Sequence, residues 1–272
     1  LQLQPPPDQE MFQRLIKADR RRVFTACAAA VAHQMQHHAE KGIIYFDVKP
    51  ENLAFSLHRK SGSSASITGI DVVLIDQGGA RLALEDDMGG DDPDPGVEDA
   101  CATYPPWFFV LLWGQPDDDG SRRYDVVRHG NWFGSRAQAY VWACAMLIQI
   151  SPHVRHALKF NGIANRKWEG RVPETTDPGE KPSFSKTQYT NIVAFYTETI
   201  DRALAKARLY LGLQSNDTLL ELIRSALLDF NPFSHDGRRG HRESGVQMQD
   251  VDFKMQLMIY EMDSLREVPR AR

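Results

Sequence analysis

The sequence predicts a mainly helical domain with a few short β-strands, and three observations support this fold class. Apolar residues recur at helical spacing through residues 20–41, as in an amphipathic helix. No residue of AYVWACAMLIQI, 139–150, is charged, so this segment is expected to be the most buried helix. Short apolar, partly β-branched runs within 43–57 and 72–84 are typical of strands.

The first predicted helix, residues 20–41, has apolar residues along one side. They recur every four positions: Val23, Cys27, Val31 and Met35. Gly42 follows directly, and glycine readily takes the left-handed backbone conformation that ends many helices. We therefore expect one long helix ahead of the first strand, with Gly42 as its C-cap.

Two short strands are predicted next, at residues 43–45 and 53–57. The apolar residues that alternate toward one face of the second strand are Leu53, Phe55 and Leu57. Residues 58–69 are rich in serine and glycine, which predicts a loop before the next strand. The β-structure should therefore be small and confined to 43–57 and 72–84.

Further helical patterns cover residues 187–211, 219–233 and 246–262. The last is amphipathic, and packing back on the domain is the favoured interpretation, with partner binding as the alternative. We divide the chain into a leading segment, 1–19, a main lobe with loop insertions, 20–245, and a C-terminal helix and tail, 246–272.

Composition restricts the class of protein. The chain has 272 residues, 25% of them charged, with a net charge of −4, so neither nucleic acid nor a membrane surface is an expected partner. Its longest apolar runs are shorter than the roughly 20 residues that span a bilayer. Cys27, Cys101 and Cys144 form no C-x-x-C pair, which favours free thiols in a reducing, intracellular and most plausibly cytoplasmic compartment.

The polar residues most informative about function lie in DVKPEN, where Asp47, Lys49 and Asn52 follow an apolar run. Asp76 and Gly78 come later, at the end of the β-branched run VVLID. Phosphoryl transfer requires a carboxylate that accepts the hydroxyl proton, a cation beside the phosphate, and oxygen ligands for Mg²⁺. The spacing thus supplies the side chains for such chemistry.

This array resembles the catalytic loop and the metal-binding DFG motif of eukaryotic-type protein kinases. The resemblance implies that Asp47 is the catalytic base and that Lys49 contacts the γ-phosphate of ATP. It also implies that Asn52 and Asp76 hold Mg²⁺ and that Gly78 gives the backbone freedom beside the bound nucleotide. The implied fold is the C-terminal, large lobe of a kinase, and the implied activity is transfer of phosphate to a protein hydroxyl of the serine/threonine type.

The small lobe that this family places ahead of the catalytic loop has no counterpart in the sequence. Residues 1–19 contain neither a G-x-G-x-x-G loop nor a strand lysine of the V-A-I-K type. We therefore expect a divergent kinase whose large lobe is inactive in isolation. The alternative is a pseudokinase-like module that binds a protein partner, within a larger assembly or outside one, without catalysis.

Four residues depart from the family pattern. Phe46 replaces the arginine that receives a loop phosphate, and Gln77 replaces the phenylalanine of DFG. Trp107 stands in place of a glutamate that normally forms a buried ion pair, and Tyr140 in place of a central-helix aspartate. These changes predict a site without control by loop phosphorylation and a scaffold repacked with aromatic side chains.

Overall fold

The computed structural model describes residues 17–45, 47–59, 67–76, 80–82, 130–158, 186–214, 217–229 and 246–267. The described part is mainly helical, as predicted, with short strands. Its helices are α1 Lys17–Glu40, α2 Gly130–Ile150, α3 Arg155–Leu158, α4 Lys186–Leu211, α5 Thr218–Leu228 and α6 Met248–Glu267. Its strands are β1 Ile43–Ile44, β2 Leu53–Arg59, β3 Ile67–Leu74 and β4 Arg81–Leu82.

Helix α1 confirms the predicted first helix and begins slightly earlier, at Lys17. The side chains at the four predicted apolar positions are all buried: Val23, Cys27, Val31 and Met35. Gly42 has a φ of 68°, the left-handed conformation expected of a C-cap. Its N–H donates to the Ala39 carbonyl at 3.0 Å, which turns the chain directly into β1.

The strands form two antiparallel pairs. Strand β1 pairs with β4, while β2 and β3 form a hairpin in which Leu53 lies opposite Leu74. Residues 58–69 were predicted to be a loop, and that prediction is wrong at both ends, because β2 continues to Arg59 and β3 begins at Ile67. Cross-strand pairing stabilises these positions, where the polar His58 and Arg59 face the start of β3.

The start of β2 is covered on both faces. Leu53 and Phe55 are buried, as the predicted alternation requires, but Ala54 between them is buried as well. Both faces of β2 are therefore buried at this end, whereas the predicted alternation implies one exposed face. The Leu57 side chain lies outside the described residues.

Helix α2 confirms the prediction of a buried central helix. Every residue of 139–150 is buried, and the helix begins earlier than predicted, at Gly130. The indole N–H of Trp142 donates to the carbonyl oxygen of Ala28 in α1 at 3.0 Å. This bond satisfies the single polar atom of a fully buried side chain and fixes the contact between the two helices.

Helix α5 replaces the predicted helix 219–233 and ends sooner, at Leu228. Its N-cap is Asp217, whose carboxylate accepts the Leu219 N–H at 3.1 Å. The same carboxylate pairs with Arg21 of α1 at 3.1 Å, which joins the start of α5 to the first helix. Helix α4 agrees with the predicted segment 187–211 to within one residue.

Helix α6 packs back on the domain, as predicted. Met248, Val251 and Met255 are fully buried on one side of it, and α1 is its main neighbour. Aromatic and aliphatic side chains are exposed elsewhere on this helix: Phe253, Leu257 and Tyr260.

Cys27 and Cys144 are free, fully buried thiols, and Cys101 lies outside the described residues. Burial raises the pKa of Cys27 to about 12, against the smaller opposing effect of its hydrogen bond with Gln149. Burial likewise raises the pKa of Cys144. Within the described ranges, no helix combines the length and the apolar character needed to cross a membrane.

Replacing Trp142 by Phe should destabilise the fold by about 2–3 kcal/mol. The variant loses the hydrogen bond to Ala28 and leaves a cavity beside α1. Chemical denaturation followed by circular dichroism measures the change in the free energy of unfolding. The matched control is Leu209→Ala, at a position 71% exposed, which should change stability by less than about 0.5 kcal/mol. Equal stability of both variants would contradict the central role of α2.

Candidate functional site

A single tight turn brings the polar residues of DVKPEN together. Residues Pro50–Asn52 form a 3₁₀ turn, which begins with the proline whose missing N–H is not needed there. The Asn52 N–H donates to the Lys49 carbonyl at 2.9 Å, and the next residue, Leu53, starts β2. The turn therefore holds Asn52 beside the segment that precedes it.

Asp47 is the centre of the resulting cluster. The Lys49 Nζ lies 2.7 Å from Asp47 Oδ2, and the Asn52 Nδ2 lies 2.9 Å from the same oxygen. Asn52 Nδ2 also donates to the Asp47 backbone carbonyl at 2.9 Å. Asn52 is buried, whereas the side chains of Asp47 and Lys49 are partly exposed. The structure thus places three of the predicted site residues in direct contact.

The end of β3 meets the same turn from the other side. The Ile75 N–H donates to the Asn52 carbonyl at 2.8 Å. Asp76 follows with an exposed side chain and a φ of 56°, a left-handed conformation that costs a non-glycine residue about 1–2 kcal/mol. Such strain persists only where neighbouring contacts impose it, and here they hold Asp76 next to the Asp47 cluster.

Tyr45 supplies one of those contacts and was missed by the sequence analysis. Its fully buried side chain donates a hydrogen bond to the Asp76 carbonyl at 2.9 Å, with the Ile75 carbonyl at 3.3 Å. It also accepts one from Asn52 Nδ2 at 3.3 Å. One phenol therefore connects the turn to the end of β3.

The environment keeps the Tyr45 phenol protonated. Burial raises its pKa to about 12, the Asn52 hydrogen bond opposes the rise, and the negative charges of Asp47 and Asp76 add to it. Both carboxylates thus raise the pKa of the same hydroxyl group. A tyrosine immediately after the β1 run was the only sequence signal for this role.

Gln34 of α1 was also missed, and it anchors β3. Its Nε2 donates to the Val72 carbonyl at 2.5 Å, and its Oε1 accepts the Leu74 N–H at 3.1 Å. The side-chain amide thereby pairs with the strand as a neighbouring peptide group would. This contact fixes the position from which Ile75 and Asp76 extend.

The central helix contacts the site region through Gln138. Tyr140, which the kinase resemblance aligned with an aspartate, is fully buried within α2. Gln138 instead donates through Nε2 to the Ile43 carbonyl in β1 at 3.3 Å. A neutral amide therefore joins α2 to β1, the strand before the turn.

The donor set fits Mg²⁺ bound together with phosphate oxygens. The hydrogen bonds of the Asn52 side chain within the described residues all use Nδ2, which leaves Oδ1 for a cation. The Asp76 carboxylate, which is exposed, would be the second oxygen group available to such a cation. Among the described residues no three His, Cys, Asp or Glu side chains form a metal cluster. Magnesium commonly takes one or two protein oxygens and completes its shell with water and phosphate, which matches this pair.

The remaining predicted residues of interest fall on parts of the chain that the structure does not describe. These are Phe46, Gln77, Gly78 and Trp107. Their predicted roles stay predictions.

Comparison of the chain with protein-family models, with curated proteins and with solved structures finds no significant match.

Tyr45 should titrate at about pH 12, well above an ordinary tyrosine. Because its pKa is raised in the folded state, the stability it contributes is fully present below pH 10 and is lost as the pH rises to about 12. Ultraviolet difference absorbance of tyrosinate, compared between the wild type and Tyr45→Phe, isolates this group. Tyr260→Phe, which removes an exposed phenol, is the matched control. A Tyr45 transition centred near pH 10 would contradict the buried hydrogen-bonded geometry.

Proposed function

We propose that this chain is a protein-kinase-like large lobe whose Asp47, Lys49, Asn52 and Asp76 bind a magnesium–nucleotide complex. The observation that supports it most is the joining of two separate segments at one point. The turn that bears Asn52 and the strand end that bears Asp76 are linked by the Ile75–Asn52 bond and by the Tyr45 hydroxyl. Phosphoryl transfer depends mainly on such positioning and on electrostatic stabilisation.

Each side chain has a role that its position supports. Asp47 would orient the attacking protein hydroxyl and accept its proton. Lys49, paired with Asp47 at 2.7 Å, would shift its charge toward the phosphate when one is present. Asn52 Oδ1 and the Asp76 carboxylate would hold Mg²⁺, which neutralises phosphate charge. Gly78 would allow the backbone to turn beside the nucleotide, on the family resemblance alone.

We propose further that this lobe by itself transfers no phosphate. The array offers one wall of a site: a base, a cation and two metal ligands. Residues that would enclose the adenine and the phosphates on the opposite side have no counterpart in the sequence motifs of this chain. Misplacement by about 1 Å can reduce a rate about a hundredfold, so an open site should be inactive.

A structural or partner-binding module without catalysis is the second candidate. Lys49 and Asn52 both satisfy Asp47 Oδ2, so the cluster is electrostatically complete without any ligand. A loop that stabilises itself in this way could serve only to hold the turn before β2. Ligand binding decides between the two candidates.

Mg²⁺-dependent ATP binding by the 272-residue chain should weaken at least about tenfold on Asp76→Asn, a replacement that removes the ligand charge. Asparagine tolerates the left-handed conformation of position 76, so the backbone should remain in place. Isothermal titration calorimetry with and without Mg²⁺ measures the affinity. Asp71→Asn removes an exposed carboxylate of β3, the strand that leads to Asp76, together with its surface pair to His58; it is the matched control and should bind as the wild type does.

The outcomes separate the candidates. No Mg²⁺-dependent binding by the wild type would refute the nucleotide site and favour the structural module. Phosphate transfer to a protein substrate that disappears in Asp47→Asn would refute the proposed inactivity of the lobe and show that the chain is an enzyme as it stands.

A further inference from the structure

An ion pair joins the turn that bears Asn52 to a distant part of the chain. Glu51, the middle residue of the turn Pro50–Asn52, contacts Arg155, the first residue of α3. Neither residue belongs to the motif roles assigned above. Glu51 is exposed and Arg155 partly exposed, so the pair lies at the surface beside Asn52.

Arg155 extends from a firmly anchored segment. The preceding Ser151 is buried, and its hydroxyl donates to the Ala203 carbonyl of α4 at 3.1 Å. Val154 and Leu158 on either side of Arg155 are buried in the core. The backbone that carries the Arg155 guanidinium group is therefore anchored to the core formed by α2 and α4. Glu51, by contrast, is an exposed turn residue.

We propose that Arg155 is a positioning residue that acts through Glu51 to hold the Asn52 turn at the distance from Asp76 that Mg²⁺ requires. The proposal rests on the proposed nucleotide site. Asn52 has little freedom inside the cluster, since its Nδ2 is bound by Asp47 and Tyr45. The inner side of the turn is held by the burial of Pro50 and by the Ile75–Asn52 bond, and the Arg155 contact ties its exposed residue, Glu51, to α3.

This role predicts a change in ligand affinity without a comparable change in stability. Solvent-exposed ion pairs add little to the free energy of unfolding, because water screens the charges and both side chains lose freedom. Outer residues that orient metal ligands, by contrast, commonly change metal affinity about 10–100-fold when they are replaced. A purely structural residue would show the opposite pattern.

The test uses the full chain and four variants. Arg155→Ala removes the contact, Arg155→Lys keeps the charge, and the double exchange Glu51→Arg with Arg155→Glu reverses the pair. Arg202→Ala, which breaks the exposed pair with Glu198 in α4, is the matched control. For each chain, Mn²⁺ affinity is measured by electron paramagnetic resonance with a non-hydrolysable ATP analogue. Amide hydrogen exchange is measured at Asn52 and Ile75, and the thermal midpoint by calorimetry.

Arg155→Ala should bind Mn²⁺ and the analogue about tenfold more weakly, with faster exchange at Asn52 and Ile75 and an unchanged thermal midpoint. Arg155→Lys and the double exchange should recover part of both properties, and Arg202→Ala should match the wild type. Wild-type affinity and exchange in Arg155→Ala would overturn the proposal. So would faster exchange throughout the helices with a lowered midpoint, since Arg155 would then be structural.

Failure of the nucleotide site itself gives a different result. The wild type would then bind no Mn²⁺–nucleotide. The amide hydrogen exchange measurements alone would then test whether Arg155 positions the turn. Faster exchange confined to Asn52 and Ile75 in Arg155→Ala, restored by the double exchange, supports the positioning role. Unchanged exchange overturns it.

Discussion

The burial of helix α2 is the constraint on which the rest of the described structure depends. This helix, which carries no charge over residues 139–150, contacts α1, α4, α5, α6, β1 and the Pro50–Asn52 turn. Residues 138–150 are all buried, so hydrophobic burial here is the main source of stability and any polar atom requires an internal partner. Trp142 finds one in Ala28, and Gln138 finds one in Ile43. These two bonds place α1 and β1, the two elements that precede the Pro50–Asn52 turn in the chain.

The site also depends on hydrogen bonds to backbone groups, which connect the turn that bears Asn52 to the end of β3. Gln34 fixes β3, Tyr45 holds the carbonyl of Asp76, and Asn52 accepts the N–H of Ile75. This network of bonds maintains the left-handed conformation of Asp76 and offsets the backbone strain of that conformation. These bonds fix the backbone on both sides of the site, so the proposed ligand would meet Asn52 and the Asp76 backbone already in place, and Lys49 is the side chain that would have to move.

The fold was largely predictable because its strongest signals are local. Apolar periodicity identified α1, α4 and α6, and the absence of charge identified α2. Gly42 marked the end of α1 through its backbone freedom. The limits of the hairpin were missed because the serines and glycines within 58–69 predicted a loop for the whole segment. Cross-strand pairing extends β2 through His58 and Arg59 despite their weak strand character, and the β-branched Ile67 and Thr68 already begin β3.

The site was predictable only in part, for a related reason. The spacing of Asp47, Lys49 and Asn52 lies within one turn and is visible in the sequence. Tyr45, Gln34 and Gln138 bond to backbone carbonyls and N–H groups, which have no residue-specific signature. The contact between Glu51 and Arg155 joins distant segments, and two exposed charged residues carry no signal of their pairing.

Paramagnetic broadening by Mn²⁺ with an ATP analogue tests the central claim most directly, because it locates the metal. In the amide spectrum of the labelled chain, the signals of Asp47, Asn52, Ile75 and Asp76 should broaden first. The amides of α6, such as Phe253, should remain sharp. Broadening spread over exposed carboxylates elsewhere, with the Asp47 and Asp76 signals unchanged, would contradict the assignment of a metal–nucleotide site at this junction.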